Sequence, residues 1–168
     1  KLMGICLRYM KDEFEAKDVL QDSFIKIFHS IAVYKNTGSF EAWLSRIVVT
    51  KCLMQLRKNK KQNFHIDYNN NNNSTNLHQE AKIEIKLNEE DILEMLQELP
   101  DHYRIIFNLY VIEGYSHKEI ADLLEIPEST SRTKLTRARR KMQEIYKKRS
   151  DSTGNIAKNE LSEISKIS

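Results

Sequence analysis

The regular spacing of apolar residues breaks once along this chain, and that break limits how large a core the chain can build. Between about Gln62 and Leu87 the periodicity dissolves, and the run Asn69 to Asn73 is followed by Ser74, Thr75 and Asn76. Such a tract buries too little apolar surface to offset the entropy of ordering it. It reads as a flexible linker, and no function is assigned to the asparagines themselves. The 168 residues accommodate one ordinary domain or two small ones. The break selects two, over residues 1–61 and 88–148, with the linker at 62–87 and a polar, Ser-rich tail at 149–168.

Both blocks carry a helical pattern. Four Gly and two Pro, against many Lys, Glu, Leu and Ile, favour helices over a turn-rich sheet protein. In the first block Ala16, Val19, Leu20, Ser23, Phe24, Ile27 and Phe28 mark one stripe, bounded by the turn-like Lys35 to Ser39. Phe40, Trp43, Leu44, Ile47, Val48, Leu53 and Leu56 mark a second. The β-branched Val48-Val49-Thr50 suggests a strand locally, but the longer 3.6-residue period around it overrides that propensity. In the second block Ile92, Leu93, Leu96 and Leu99 form a stripe that stops at Pro100. Asp101 is expected to cap the next helix, which carries Ile105, Ile106, Leu109 and Tyr110 and ends at Gly114. Ser116 and Glu119 then form a capping box for a helix through Leu124, and a basic helix follows the turn at Glu125-Ile126-Pro127. The expected fold class is all-α, as two small helical domains joined by a flexible linker. The tail is expected to be disordered, with at most a weak helix around Ile156, Leu161 and Ile164.

Several function classes lose support at this level. A formal net charge of +3 says little about partners, so the distribution of charge carries the argument. Cys6 and Cys52 lie far apart without CxxC spacing, which disfavours a disulfide framework or a zinc site and leaves two buried thiols in a reducing compartment. The apolar opening Leu2 to Leu7 is too short to span a membrane and lacks a cleavage pattern. The chain opens on Lys1 rather than Met, so a preceding piece is expected. His29, His65, His78, His102 and His117 are dispersed, without an H-E-x-x-H pattern or a phosphate-cradling glycine loop. No catalytic residue, metal ligand or cofactor is therefore assigned.

The sharpest local signal is a helix-turn-helix from Ser116 to about Met142. Two helices cross at that angle only where small and apolar residues meet, and Ile120, Ala121, Leu124, Ile126 and Leu135 supply the contact. The second helix then projects Arg132, Thr133, Lys134, Thr136, Arg137, Arg139, Arg140 and Lys141. Guanidinium and hydroxyl groups at that density suit phosphates and base edges in a major groove. A solvated basic helix is the plainer alternative, but the capped helix and tight turn before it favour DNA binding.

Two motif blocks in this order carry a family resemblance. Leu99 to Arg104, Tyr115 to Ala121 and Leu135 to Arg139 together resemble region four of bacterial sigma factors. Glu15 to Phe24 and Phe40 to Ile47 resemble region two, respectively the polymerase-docking segment and the start of the promoter-melting helix. The short linker and the lack of an intervening domain are similar to the extracytoplasmic-function (ECF) group. The resemblance implies a cytoplasmic, non-enzymatic factor that directs core RNA polymerase to promoters, touching the beta-prime clamp and the beta flap. It implies polymerase contacts at Asp18, Gln21 and Asp22. Contacts to the −10 element fall at Asn36, Thr37, Ser39, Arg46, Lys51, Gln55 and Lys58. Contacts to the −35 element fall at Ser129, Thr130, Arg132, Thr133, Lys134, Arg137 and Arg139. It also implies an anti-sigma factor, in many members membrane-anchored. Any such tether belongs to that partner, since this sequence shows no direct membrane insertion.

Residue-level readings sit beside these roles. Trp43 shares a stripe with Phe40 and Ile47, which favours core packing over stacking on a base. The run Arg57 to Lys61 suits a helix end as well as nucleic acid. Glu125 stands where the family usually has Gly, and Ser131 where it has an apolar residue. Thr50 and Met54 stand where region two commonly has Asn and Asp. A conventional helix-turn-helix repressor or activator is the alternative function. It accounts for the basic helix but not for Glu15 to Phe28.

Overall fold

The computed structural model describes residues 1–35, 38–62 and 88–164, of which 60–62 and 151–164 as backbone only. Every regular element among them is helical, and the chain divides into two compact units, Lys1–Asn88 and Glu89–Ser168.

In the first unit α1 (Leu2–Tyr9), α2 (Glu13–Ser30) and α3 (Phe40–Gln62) each pack against the other two. Asp12 starts α2: its carboxylate accepts from the backbone N–H groups of Phe14 at 2.6 Å and Glu15 at 3.1 Å, satisfying donors that no helical carbonyl can reach. The buried line of α2 is Ala16, Val19, Ser23 and Ile27. Ala16 and Ser23 are small, so the neighbouring helices approach closely. The Ser23 hydroxyl donates to the Val19 carbonyl at 2.7 Å, which satisfies it in the interior. Helix α3 answers with Val48, Val49, Cys52, Leu53 and Leu56, and the chain around α1 adds Ile5, Cys6, Tyr9 and Met10. The β-branched pair thus lies in a helix, as the longer period predicted. Cys6 and Cys52 are buried free thiols, and a hydrogen bond from one to the other holds the Cys6 thiol below its usual pKa.

The expected stripes are wider than the real ones. Phe24 and Phe28 are exposed, each one residue past a buried position and hence about 100° around the helix from the core. Phe40 is exposed too, and Trp43 is only half-buried rather than a core residue.

The second unit contains α4 (Glu89–Glu98), α5 (Asp101–Phe107), a wide π-helical turn (Asn108–Ile112), α6 (His117–Leu124) and α7 (Glu128–Ile164). Helix α7 is the spine, packing against α4, α5 and α6. Met95, Leu96, Leu99, Ile105, Ile106, Leu109, Ile120, Leu135, Ala138 and Ile145 fill the core. Pro100, not Asp101, takes the cap position of α5. Asp101 sits in the first turn, where its carboxylate accepts from the buried Arg104 guanidinium at 3.0 Å. The π turn was not expected; Gly114, at φ 77°, closes it in a left-handed conformation suited to glycine. Arg149 ties α7 to α4 by donating to Glu94 at 2.7 Å and to Glu98 at 2.9 Å. Beyond it the backbone of α7 remains helical to Ile164, through residues expected as a polar tail.

Candidate polymerase and nucleic-acid interfaces

Three surfaces gather the residues singled out in the sequence. The first is the outer face of α2. Asp18, Gln21 and Asp22 are all exposed, and helical spacing places Phe14, Ile25 and Phe28 on the same face. Phe14 is 78% exposed and Phe28 72%. Large apolar side chains left in water beside acidic ones are an energetic liability unless a partner covers them. Spacing alone assigns Phe28 to the buried stripe and leaves Phe14 and Ile25 unassigned, whereas the structure exposes all three. Their signal was positional, since Phe14, Asp18, Gln21, Ile25 and Phe28 recur every three or four residues.

The second surface surrounds the start of α3. Asn36 and Thr37 lie outside the described residues. Gly38 adopts φ 97°, and its carbonyl accepts from the Tyr34 hydroxyl at 3.0 Å. The Ser39 hydroxyl accepts from the Ala42 N–H at 3.4 Å, at the start of the helix. Tyr34, Phe40 and Trp43 form an aromatic cluster with centroid separations of 4.9 to 5.6 Å. Along α3 the expected set splits into two rows. Arg46 lies with Thr50, Met54 and Arg57, whereas Lys51, Gln55 and Lys58 follow the adjacent side. Arg46 and Lys58 are exposed; Lys51 and Gln55 are half-buried. Gln55 is engaged within the unit, donating to Glu15 at 3.3 Å and to Asn59 at 3.2 Å.

The third surface is the helix-turn-helix. Ser116 and Glu119 form the expected reciprocal box: the Ser116 hydroxyl accepts from the Glu119 N–H at 3.2 Å, and the Glu119 carboxylate from the Ser116 N–H at 2.9 Å. Glu125 ends α6 at φ 55°, ψ 46°, the left-handed conformation that a glycine would adopt without strain. This turn aims α7 across α6. Ser129, Arg132, Thr133 and Arg139 are exposed, and Thr130, Lys134 and Arg137 are half-buried. Thr130, Lys134 and Arg137 follow one flank of α7, while Arg132 and Arg139 share the other. Arg132 pairs with Glu128, and the Arg139 guanidinium lies 6.0 Å from the Tyr110 ring. Ser131, expected to weaken packing, is fully buried and shares a hydrogen bond of 2.9 Å with Nδ1 of His117. His117 in turn stacks on Tyr110 with centroids 4.4 Å apart. The sequence assigns neither His117 nor Tyr110 to this surface, because only folding brings the wide turn beside α6.

Among the described residues no cluster of His, Cys, Asp and Glu is placed to hold a metal ion, and no helix is long and apolar enough to cross a membrane.

Comparison with known families agrees with this division. Residues 1–62 match the family model for sigma-70 region 2, and residues 89–142 the model for sigma-70 region 4. The ECF RNA polymerase sigma factor SigW of Bacillus subtilis is 28% identical over 150 residues, covering 83% of this chain and 79% of that one. This chain belongs to the ECF sigma factors of the sigma-70 family. The ECF RNA polymerase sigma-E factor of Haemophilus influenzae is also 28% identical, over 148 residues, covering 83% of this chain and 78% of that one. The fold is shared with the sigma factor RpoE of Bartonella quintana, solved with the anti-sigma factor NepR. That likeness has a TM-score of 0.56 at 22% identity and covers 87% of this chain and 89% of that one. As an ECF sigma factor the chain is a transcription initiation factor that binds core RNA polymerase and promoter DNA. A free-standing repressor would leave the match of residues 1–62 to region 2 unexplained.

Proposed function

We propose that the two units divide promoter opening between them. Helix α7 reads the −35 element with Ser129, Thr130, Thr133, Lys134 and Arg137, and Arg132 and Arg139 engage phosphates at its edge. The outer face of α2 docks on the polymerase clamp through Asp18, Gln21 and Asp22, with Phe14, Ile25 and Phe28 covered in the contact. Ser39 and the loop before it, with Arg46, Lys51 and Lys58, hold the opened −10 strand. Gln55 serves this surface indirectly, by fixing α3 against α2 through Glu15. The chain acts by binding and leaves catalysis to the polymerase in the cytoplasm. An anti-sigma protein, like the one bound to the Bartonella quintana factor, is the expected regulator, and the apolar face of α2 is a surface such a partner would cover.

The observation that carries this reading is the capped α6 and left-handed Glu125 turn, which present the basic face of α7 outward. The test is footprinting by holoenzyme on a promoter selected from a random pool. The Arg137→Ala factor should lose about 1–3 kcal/mol of binding and relax the −35 preference. Unchanged −35 protection by a folded variant would contradict the assignment.

A further inference from the structure

The helix-turn-helix contains a polar contact that packing alone does not require. Ser131 is fully buried in α7 and shares its hydrogen bond with Nδ1 of His117, the first residue of α6. The imidazole also stacks on Tyr110 from the π turn. Besides Ser131, four groups act on this half-buried ring. Tyr110 presents its face, and α7 contributes Arg132, Arg139 and Glu128. On its own helix His117 is followed by Lys118 and Glu119. Burial comes first in holding the imidazole below its usual pKa, followed by Arg132; Glu128 acts the other way, and Arg139 reinforces Arg132.

The contact to Ser131 does not choose a protonation state. A serine hydroxyl donates to a bare Nδ1 and accepts from an Nδ1–H, so the bond survives proton uptake by a rotation of the hydroxyl. An apolar residue at this position would leave Nδ1 unsatisfied. The cost of the imidazolium comes instead from burial and from the two guanidiniums on the flank of α7. Phosphates arriving against Arg132 and Arg139 compensate those guanidiniums, and the balance at His117 shifts toward the charged ring.

We infer that His117 is a proton-linked member of the DNA-binding surface, taking up a proton as duplex phosphates settle against Arg132 and Arg139. The inference rests on the −35 reading of α7. Linkage then requires that duplex affinity rise as pH falls through the interval between the free and bound pKa values of His117.

The experiment uses holoenzyme made with the full chain and a labelled duplex selected by that holoenzyme from a random pool. Affinity is measured at pH 7.5 and 6.0 over a range of salt, for the wild type and His117→Gln. The wild type should bind about 3- to 10-fold more tightly at the lower pH, relative to the variant. Its salt dependence should steepen by about 0.9 in log–log slope, the signature of one added phosphate contact. An identical pH response and slope in a folded variant would overturn the inference. Independently of any variant, NMR titration of the isotope-labelled histidines should give His117 a higher midpoint in the duplex-bound chain than in the free one. Equal midpoints also overturn it. A holoenzyme indifferent to −35 substitutions would overturn the underlying reading as well.

Discussion

Gln55 on α3 donates its side-chain amide to Glu15 on α2 at 3.3 Å, and Asn59, one turn further along α3, donates to the same carboxylate oxygen. One acidic side chain thus fixes the register of α3 against α2. Removing it in Glu15→Ala leaves two half-buried amides with an unmet partner, at a cost of about 1–3 kcal/mol. Urea unfolding followed by the fluorescence of Trp43, the one tryptophan of the chain, reports on this unit. A loss below about 0.3 kcal/mol would show that the node is not structural, given the net worth of an ordinary hydrogen bond.

Glu125 turns the chain between α6 and α7 in a left-handed conformation, φ 55°, that disfavours any side chain with a Cβ. Glu125→Gly should stabilise the second unit by about 1 kcal/mol. For a domain of this size that raises the melting temperature by about 4–8 °C. A circular-dichroism melt with no rise, or a fall, would mean that the glutamate side chain contributes more than its backbone strain costs.

The second unit should also lose stability in mild acid. The folded imidazole of His117 resists protonation, chiefly through burial and Arg132, whereas an unfolded histidine titrates near about 6.5. The unfolded chain therefore binds more protons in the interval below that value, and stability falls as pH drops through it. The Glu144 carboxylate, held below its usual range chiefly by its hydrogen bond to Lys141, acts only in more acidic solution. The urea midpoint of this unit should drop between pH 7.5 and 5.5, and His117→Gln should remove much of the drop. An equal drop in the variant would assign the acid response elsewhere.

Helix periods, the capping box and the division into two units were legible because each depends on residues close in sequence. Ser116 with Glu119, Pro100 at a helix boundary and Gly114 at a turn all act within a few residues. The faces were less legible. Phe24 and Phe28 sit one step beyond the buried positions Ser23 and Ile27, and an apolar count cannot tell a wide stripe from a narrow one with exposed neighbours. Trp43 satisfied the spacing of a core residue, but its partners are Tyr34 and the exposed Phe40, an aromatic cluster that depends on how the chain before α3 folds back. Ser131 read as a packing defect because its partner His117 lies 14 residues away. The π turn at Asn108–Ile112, which sets Tyr110 against that histidine, has no local sequence signal.

The measurement closest to the centre of this account is binding of the full chain to core RNA polymerase, for the wild type and the charge-reversed Asp18→Lys/Asp22→Lys variant. Both aspartates are exposed, so the variant should fold as the wild type does. The account predicts tight wild-type binding and a loss of about 100-fold in the variant, or ~2.7 kcal/mol. A folded variant that binds core polymerase as tightly as the wild type would contradict the assignment of the α2 face as the docking surface.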